Sequence, residues 1–69
     1  MMNNSTIGDK IRERRKELHM TQKTLAKESY VSRTRLSAIE NGTCNDVRVS
    51  TLSAIADALK TTVESFFVT

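Results

Sequence analysis

The stretch "SRTRLSAIEN", residues 32–41, holds the side chains best placed to do chemistry. At about 100° per helical residue, Leu36, Ile39 and Glu40 gather on one side. Thr34, Ser37, Ala38 and Asn41 gather on the other, with Arg33 and Arg35 on the flanks. That outer ridge is narrow and polar, small in the middle and cationic at both edges. Its chemistry is recognition: guanidinium forks donate to phosphates and guanine edges, and a slim helix is what a DNA major groove admits. The wheel alone equally allows an ordinary solvated face. No paired acid and base or activated nucleophile stands out, so an enzyme is not expected. Cys44 and His19 are the only residues of their types, which leaves no internal disulfide and no metal site of ordinary ligand number. No cofactor and no small-molecule ligand are expected.

A ridge of this kind must be positioned by other elements, and the whole chain reads as helical. Proline is absent, glycine occurs twice, and no β-branched alternation is sustained. Ile7, Ile11 and Leu18 form one stripe of a first helix, which Ser5 or Thr6 can cap, with Asp9 suiting its positive end. "MTQKTLAKES" reads as a second helix, with Thr21 as its N-cap and Leu25 and Ala26 turned inward. Ser32 caps the third, and Gly42 ends it in the left-handed position. After the loop "TCNDVRV", Ser50 opens a fourth helix that buries Leu52, Ile55, Ala56 and Leu59. Thr61 or Thr62 caps a short fifth, and Thr61 with Glu64 has capping-box spacing. The expected fold is all-α: five short helices around one core.

At 69 residues the chain is one small domain, near the size at which a single core only just suffices. The net charge of +3 is unevenly spread. Residues 1–35 carry nine Lys and Arg against four Asp and Glu, and residues 36–69 carry two against four. One basic face is the simplest reading. No apolar run is long enough to span a membrane and no signal-peptide pattern opens the chain, so a cytoplasmic location is expected and a membrane partner is not.

"TQKTLAKESYVSRTRLSAIENG" resembles the helix-turn-helix of the phage Cro and repressor family in pattern and length. The matching features are Gln22 opening helix 2, Leu25–Ala26 within it, Val31 in the turn, Ser32 at the cap and "IENG" at the end of helix 3. "TLSAIADAL" and "VESFF" are similar to that family's fourth and fifth helices. The resemblance spans about residues 7–67, with the helix-turn-helix proper at about 21–41. It implies a lambda-repressor-like fold and a sequence-specific binder of double-stranded DNA, acting as a homodimer on a palindromic operator. By position, Arg33, Thr34, Ser37 and Ala38 fall where the family reads bases. Gln22, Asn41 and Thr43 fall where it holds phosphates, and Ser32 and Arg35 join that set. Gln22 also sits beside the free N–H groups of a helix N-terminus, which attract anions.

Glu40 is the anomaly of the wheel, a carboxylate on the inner side of helix 3. A lone buried charge is very costly, and the family resemblance pairs this position with Arg15 of helix 1. Tyr30 stands where the family usually has glycine in the turn, and Lys60 where it has one after helix 4. If Tyr30 keeps a positive φ, the cost is about 1 kcal/mol or more; either the turn is remodelled or the exposed ring gains a contact, for example to a phosphate through its hydroxyl. Phe66 and Phe67 point about 100° apart on a helix, so one fills the core, by expectation Phe66. The other phenyl is left beside Val63 and Val68, and Val63, Phe66, Phe67 and Val68 form the expected dimer contact.

Two classes of function follow. The first is a dimeric transcriptional regulator, either an autoregulatory restriction–modification controller, to which "SRTRLSAIENG" and "SFF" bear some likeness, or a short phage or plasmid repressor. The alternative is an antitoxin-like adaptor that binds protein with the same fold. That second class calls for an apolar surface outside the dimer contact, and the sequence displays no obvious one.

Overall fold

The computed structural model describes residues 7–44 and 47–67. Among these, four α-helices follow one another: α1 (Ile7–Glu17), α2 (Gln22–Ser29), α3 (Arg33–Asn41) and α4 (Val49–Ala58). The expected fifth helix is a single turn of 3₁₀ helix, Val63–Phe66. Four residues are too few for α-helical bonding to propagate, and a 3₁₀ turn is how such short pieces close. Ser5, Thr6 and Val68 lie outside the described residues.

The caps follow local chemistry. Thr21 Oγ1 accepts from the Thr24 N–H at 3.1 Å, and Ser32 Oγ accepts from the Arg35 N–H at 3.1 Å. Each satisfies one of the orphan donors of a helix start. At α4 the expectation shifts by one residue, because the helix begins at Val49 with Arg48 in the cap position and no side-chain cap. The Thr61–Glu64 capping box does not form. Thr62 takes the cap position without a side-chain bond, and Thr61 Oγ1 donates instead to Ser65 Oγ at 3.0 Å.

All four α-helices stop in the same way. The N–H three residues past each last-turn carbonyl and the N–H five past its predecessor both fold back, as in Gly42→Ile39 at 3.2 Å and Thr43→Ala38 at 2.9 Å. This closure needs a left-handed residue. Glycine supplies it only at Gly42 (φ 79°); His19, Tyr30 and Lys60 adopt φ of 55°, 59° and 57°. Tyr30 therefore does keep the positive φ, and the residue is 94% exposed. It shares a shallow concavity with Glu28, Ala54, Asp57 and Ala58. Two carboxylates there make a poor setting for the phosphate contact considered for its hydroxyl. At Lys60 the neighbourhood helps: Arg14 Nε donates to the Leu59 carbonyl at 3.0 Å and Nη2 to that of Lys60 at 3.4 Å.

Ile11, Leu25, Ala26, Leu36, Ile39, Leu52, Ile55, Ala56, Leu59 and Phe66 form the core. Ile7, Leu18, Met20, Val31 and Val63 are partly buried against it. The adjacent phenyls separate as their spacing demands, with Phe66 at 3% exposure and Phe67 at 59%. Phe66 thus belongs to the monomer's interior and leaves the set of expected dimer contacts.

α1 lies across α3, and two features hold that crossing. Gly8 is one. A Cβ at this position would collide with the Ile39 carbonyl oxygen and stand 2.8 Å from that of Glu40. The other is the expected ion pair: Arg15 Nε and Nη2 donate to the two Glu40 oxygens at 2.9 and 3.1 Å. Arg15 Nη1 also donates to the Met20 carbonyl at 2.9 Å, tying in the α1–α2 turn. Glu40's side chain is 1% exposed and that of Arg15 12%.

Glycine substitutions should act in opposite directions at two sites. Gly8→Ala is expected to cost about 1–3 kcal/mol, because neither backbone carbonyl can move aside. Tyr30→Gly should gain up to about 1 kcal/mol by relieving the left-handed penalty. Urea unfolding midpoints measure both, and an unchanged midpoint for Gly8→Ala contradicts the close crossing. For the ion pair, removing either partner alone should cost about 3–5 kcal/mol, and replacing both with apolar residues should cost less. A double-mutant cycle in urea reads this directly, with zero coupling energy as the contrary result.

Candidate nucleic-acid interface

α3 is oriented by what it buries. Leu36 and Ile39 enter the core at 0% and 3% exposure, and Glu40 is clamped by Arg15. With three inward anchors set, the remaining directions follow from the helix itself. Arg33, Thr34, Arg35 and Asn41 are exposed, while Ser37 and Ala38 are half-buried between them. The ridge expected from the wheel is present, and it is low in the middle. No ion pair with another described residue engages Arg33. Ser32 is exposed, with its hydroxyl oxygen committed to capping α3.

α2 stands beside this ridge. Its first residue, Gln22, joins Arg33, Thr34 and Ser37 in lining an open concavity of about 340 Å³. Polar side chains from two consecutive helices therefore converge on one surface. Gln22 stands at this edge with its amide already engaged. Gln22 Nε2 donates to Glu40 Oε1 at 3.1 Å, so the side chain expected to reach a phosphate has its amide nitrogen turned inward. Thr43, at the other end of α3, is exposed and donates its hydroxyl to the Ala38 carbonyl at 3.2 Å.

Gly8 and Arg14 support the site and escaped the sequence reading. Gly8 sets how near α1 approaches the end of α3, and Arg14 closes the end of α4. A glycine at the second position of a helix is a visible oddity, whereas Arg14 looked like one more surface cation.

Among the described residues no cluster of His, Cys, Asp and Glu could hold a metal ion. No described helix is long and apolar enough to cross a membrane. The arrangement offers a convex helix with short polar side chains and exposed cations, backed by the N-terminus of a second helix. Such a surface can enter a groove of nucleic acid and touch the phosphates beside it.

Comparison with known proteins gives the same architecture. Among solved structures, the chain is similar to the DNA-binding domain of the P22 c2 repressor, with 30% identity and a TM-score of 0.86 over 96% of this chain and 86% of that one. It is similar to the restriction-modification controller protein C.AhdI from Aeromonas hydrophila, with 27% identity and a TM-score of 0.86 over 91% and 94%. It is also similar to SinR, described as the master regulator for biofilm formation and solved in complex with DNA. There the identity is 25% and the TM-score 0.86 over 91% and 100%. Comparison with curated proteins finds no match. The model of one family, described as helix-turn-helix, matches residues 11–66. On that match and this fold, the chain belongs to the helix-turn-helix family.

Proposed function

We propose that this protein is a sequence-specific DNA-binding transcriptional regulator that seats α3 in the major groove and works as a homodimer on a palindromic operator. The observation that carries the reading is the outer face of α3: short polar side chains between two exposed arginines, held outward by Leu36, Ile39 and Glu40. Arg33 is the main reader, because a bidentate arginine matches the O6 and N7 edge of guanine. Thr34 and Ser37 offer hydroxyls to base edges, and Ala38 an apolar contact to a thymine methyl. Arg35, Asn41 and Ser32 hold the flanking phosphates, and Thr43 joins them when its hydroxyl turns from the Ala38 carbonyl; such contacts set register without reading sequence. Repressors and restriction–modification controllers among the similar structures support regulation of transcription as the setting.

Dimerisation is supported by apolar surface that the monomer leaves open. Phe67 is 59% and Val49 73% exposed, and both border one groove of about 430 Å³. Ile7, Ile39, Cys44, Val47 and Leu52 line its floor. Knob and hollow on one face are what a two-fold, self-complementary contact requires. Val63, half-buried on the 3₁₀ turn, is the other described apolar residue assigned to this contact.

Two measurements test these readings. Binding sites selected from a random duplex pool should be palindromic, with half-sites centred about 10 base pairs apart. Arg33→Ala should cost about 1–3 kcal/mol on the selected site and relax preference at one base position. Affinity for all duplexes should fall steeply with salt as counterions are released. A wild type that binds selected and scrambled duplex alike contradicts the proposal and favours a protein-binding adaptor. For the dimer, sedimentation equilibrium should find association that Phe67→Ala weakens by about tenfold or more, the worth of one buried phenyl. A folded wild type that stays monomeric at high micromolar concentration excludes the contact.

A further inference from the structure

The ends of α2 and α4 meet at the concavity lined by Glu28, Tyr30, Ala54, Asp57 and Ala58. None of these residues belongs to the ridge of α3. Tyr30 is 94% exposed, more than Val49 or Phe67. Glu28 and Asp57 are exposed as well, and no ion pair with another described residue engages either. Each is the last residue but one of its helix. A helix C-terminus carries partial negative charge, which disfavours a carboxylate and attracts a cation. Lys27 and Lys60 adjoin these ends along the chain but do not line the concavity.

An open aromatic face, unanswered negative charge and a floor of two alanines therefore converge on one spot. Arginine has the matching chemistry. Its planar guanidinium stacks on an aromatic ring and forks its donors to carboxylates. Its apolar stem can lie along small side chains. Lysine brings the charge without the plane, and phosphates are repelled. The volume is about 300 Å³, at the lower edge of ligand pockets, which suits one side chain of a larger partner.

We propose that this concavity docks an arginine side chain of a partner protein, with Tyr30 as the stacking surface and Glu28 and Asp57 as counter-charges. The proposal stands apart from the groove-reading role of α3. It gives the molecule a second surface, opposite in charge to the first and directed at protein. The fold itself has no use for the ring, because Tyr30 holds a φ of 59° that glycine adopts at less cost. Removing the ring therefore separates docking from folding.

A phage-displayed library of random dodecapeptides is panned on the free wild-type protein at physiological salt, with Tyr30→Gly protein as the counter-selecting bait. Peptides enriched on wild type should share an arginine. The best of them, synthesised and titrated by fluorescence anisotropy, should bind Tyr30→Gly at least about tenfold more weakly, the range of a desolvated cation–π contact. The combined Glu28→Gln and Asp57→Asn variant should weaken it several-fold, and so should lysine in place of the peptide's arginine. Tyr30→Gly should keep or raise its urea midpoint and hold its affinity for the selected duplex within about twofold. Failure to enrich any peptide on wild type over Tyr30→Gly overturns the proposal. So do enriched peptides without arginine, and so does equal binding of the arginine and lysine peptides. Loss of discrimination between selected and scrambled duplex would strike the reading of α3 and leave this docking site untouched.

Discussion

A single buried carboxylate organises this molecule. Glu40 lies at 1% side-chain exposure, and water cannot stabilise its charge there. Arg15 from α1 supplies two bonds and Gln22 from α2 a third. The same guanidinium reaches the Met20 carbonyl in the intervening turn. Three helices and one turn thus meet at one charge. Such a pair seldom improves stability over a well-packed apolar substitute. What it contributes is geometry. A shift of α3 along or around its axis would strand the carboxylate, so the helix has one acceptable rotation, and that rotation turns Arg33, Thr34, Ser37 and Asn41 outward. Among the described residues no buried side-chain nitrogen or oxygen lacks a partner.

The remaining constraints come from fitting short helices into a small volume. Four α-helices of eight to eleven residues need abrupt ends. Each ends in a left-handed residue, three of them not glycine, at about 1–2 kcal/mol apiece. For a domain whose total stability is of order 5–15 kcal/mol, that is a substantial tolerance. Arg14 offsets part of it at the end of α4. Gly8 allows α1 to lie almost on the carbonyls that end α3, which brings Arg15 within reach of Glu40.

Much of this was legible in the sequence, and what was not has a common cause. Helical periodicity named the inward residues Leu25, Ala26, Leu36, Ile39, Leu52, Ile55, Ala56 and Leu59, all buried. Thr21, Ser32 and Gly42 announced helix ends because their side chains, or lack of one, act within three residues. The Arg15–Glu40 pair came from the family resemblance joined to the cost of a lone charge. Ser50 is the expected opening residue of α4, and the helix starts one residue earlier, at Val49, because its first turn forms without a side-chain cap bond to mark it. Gly8, Arg14 and the inward amide of Gln22 depend on atoms brought together from separate helices. Spacing along the chain carries no record of such meetings.

Groove entry by α3 is most directly tested by following backbone amide signals of the free protein as the selected duplex is added. Seating of α3 in the major groove predicts that the large shifts fall on Gln22 and Lys23 at the start of α2 and on Arg33 to Asn41. Ser53 and Asp57, on the exposed side of α4, should keep their positions. Largest shifts at Ser53, Asp57 or Tyr30, with Arg33 to Asn41 unmoved, would contradict a groove-reading α3.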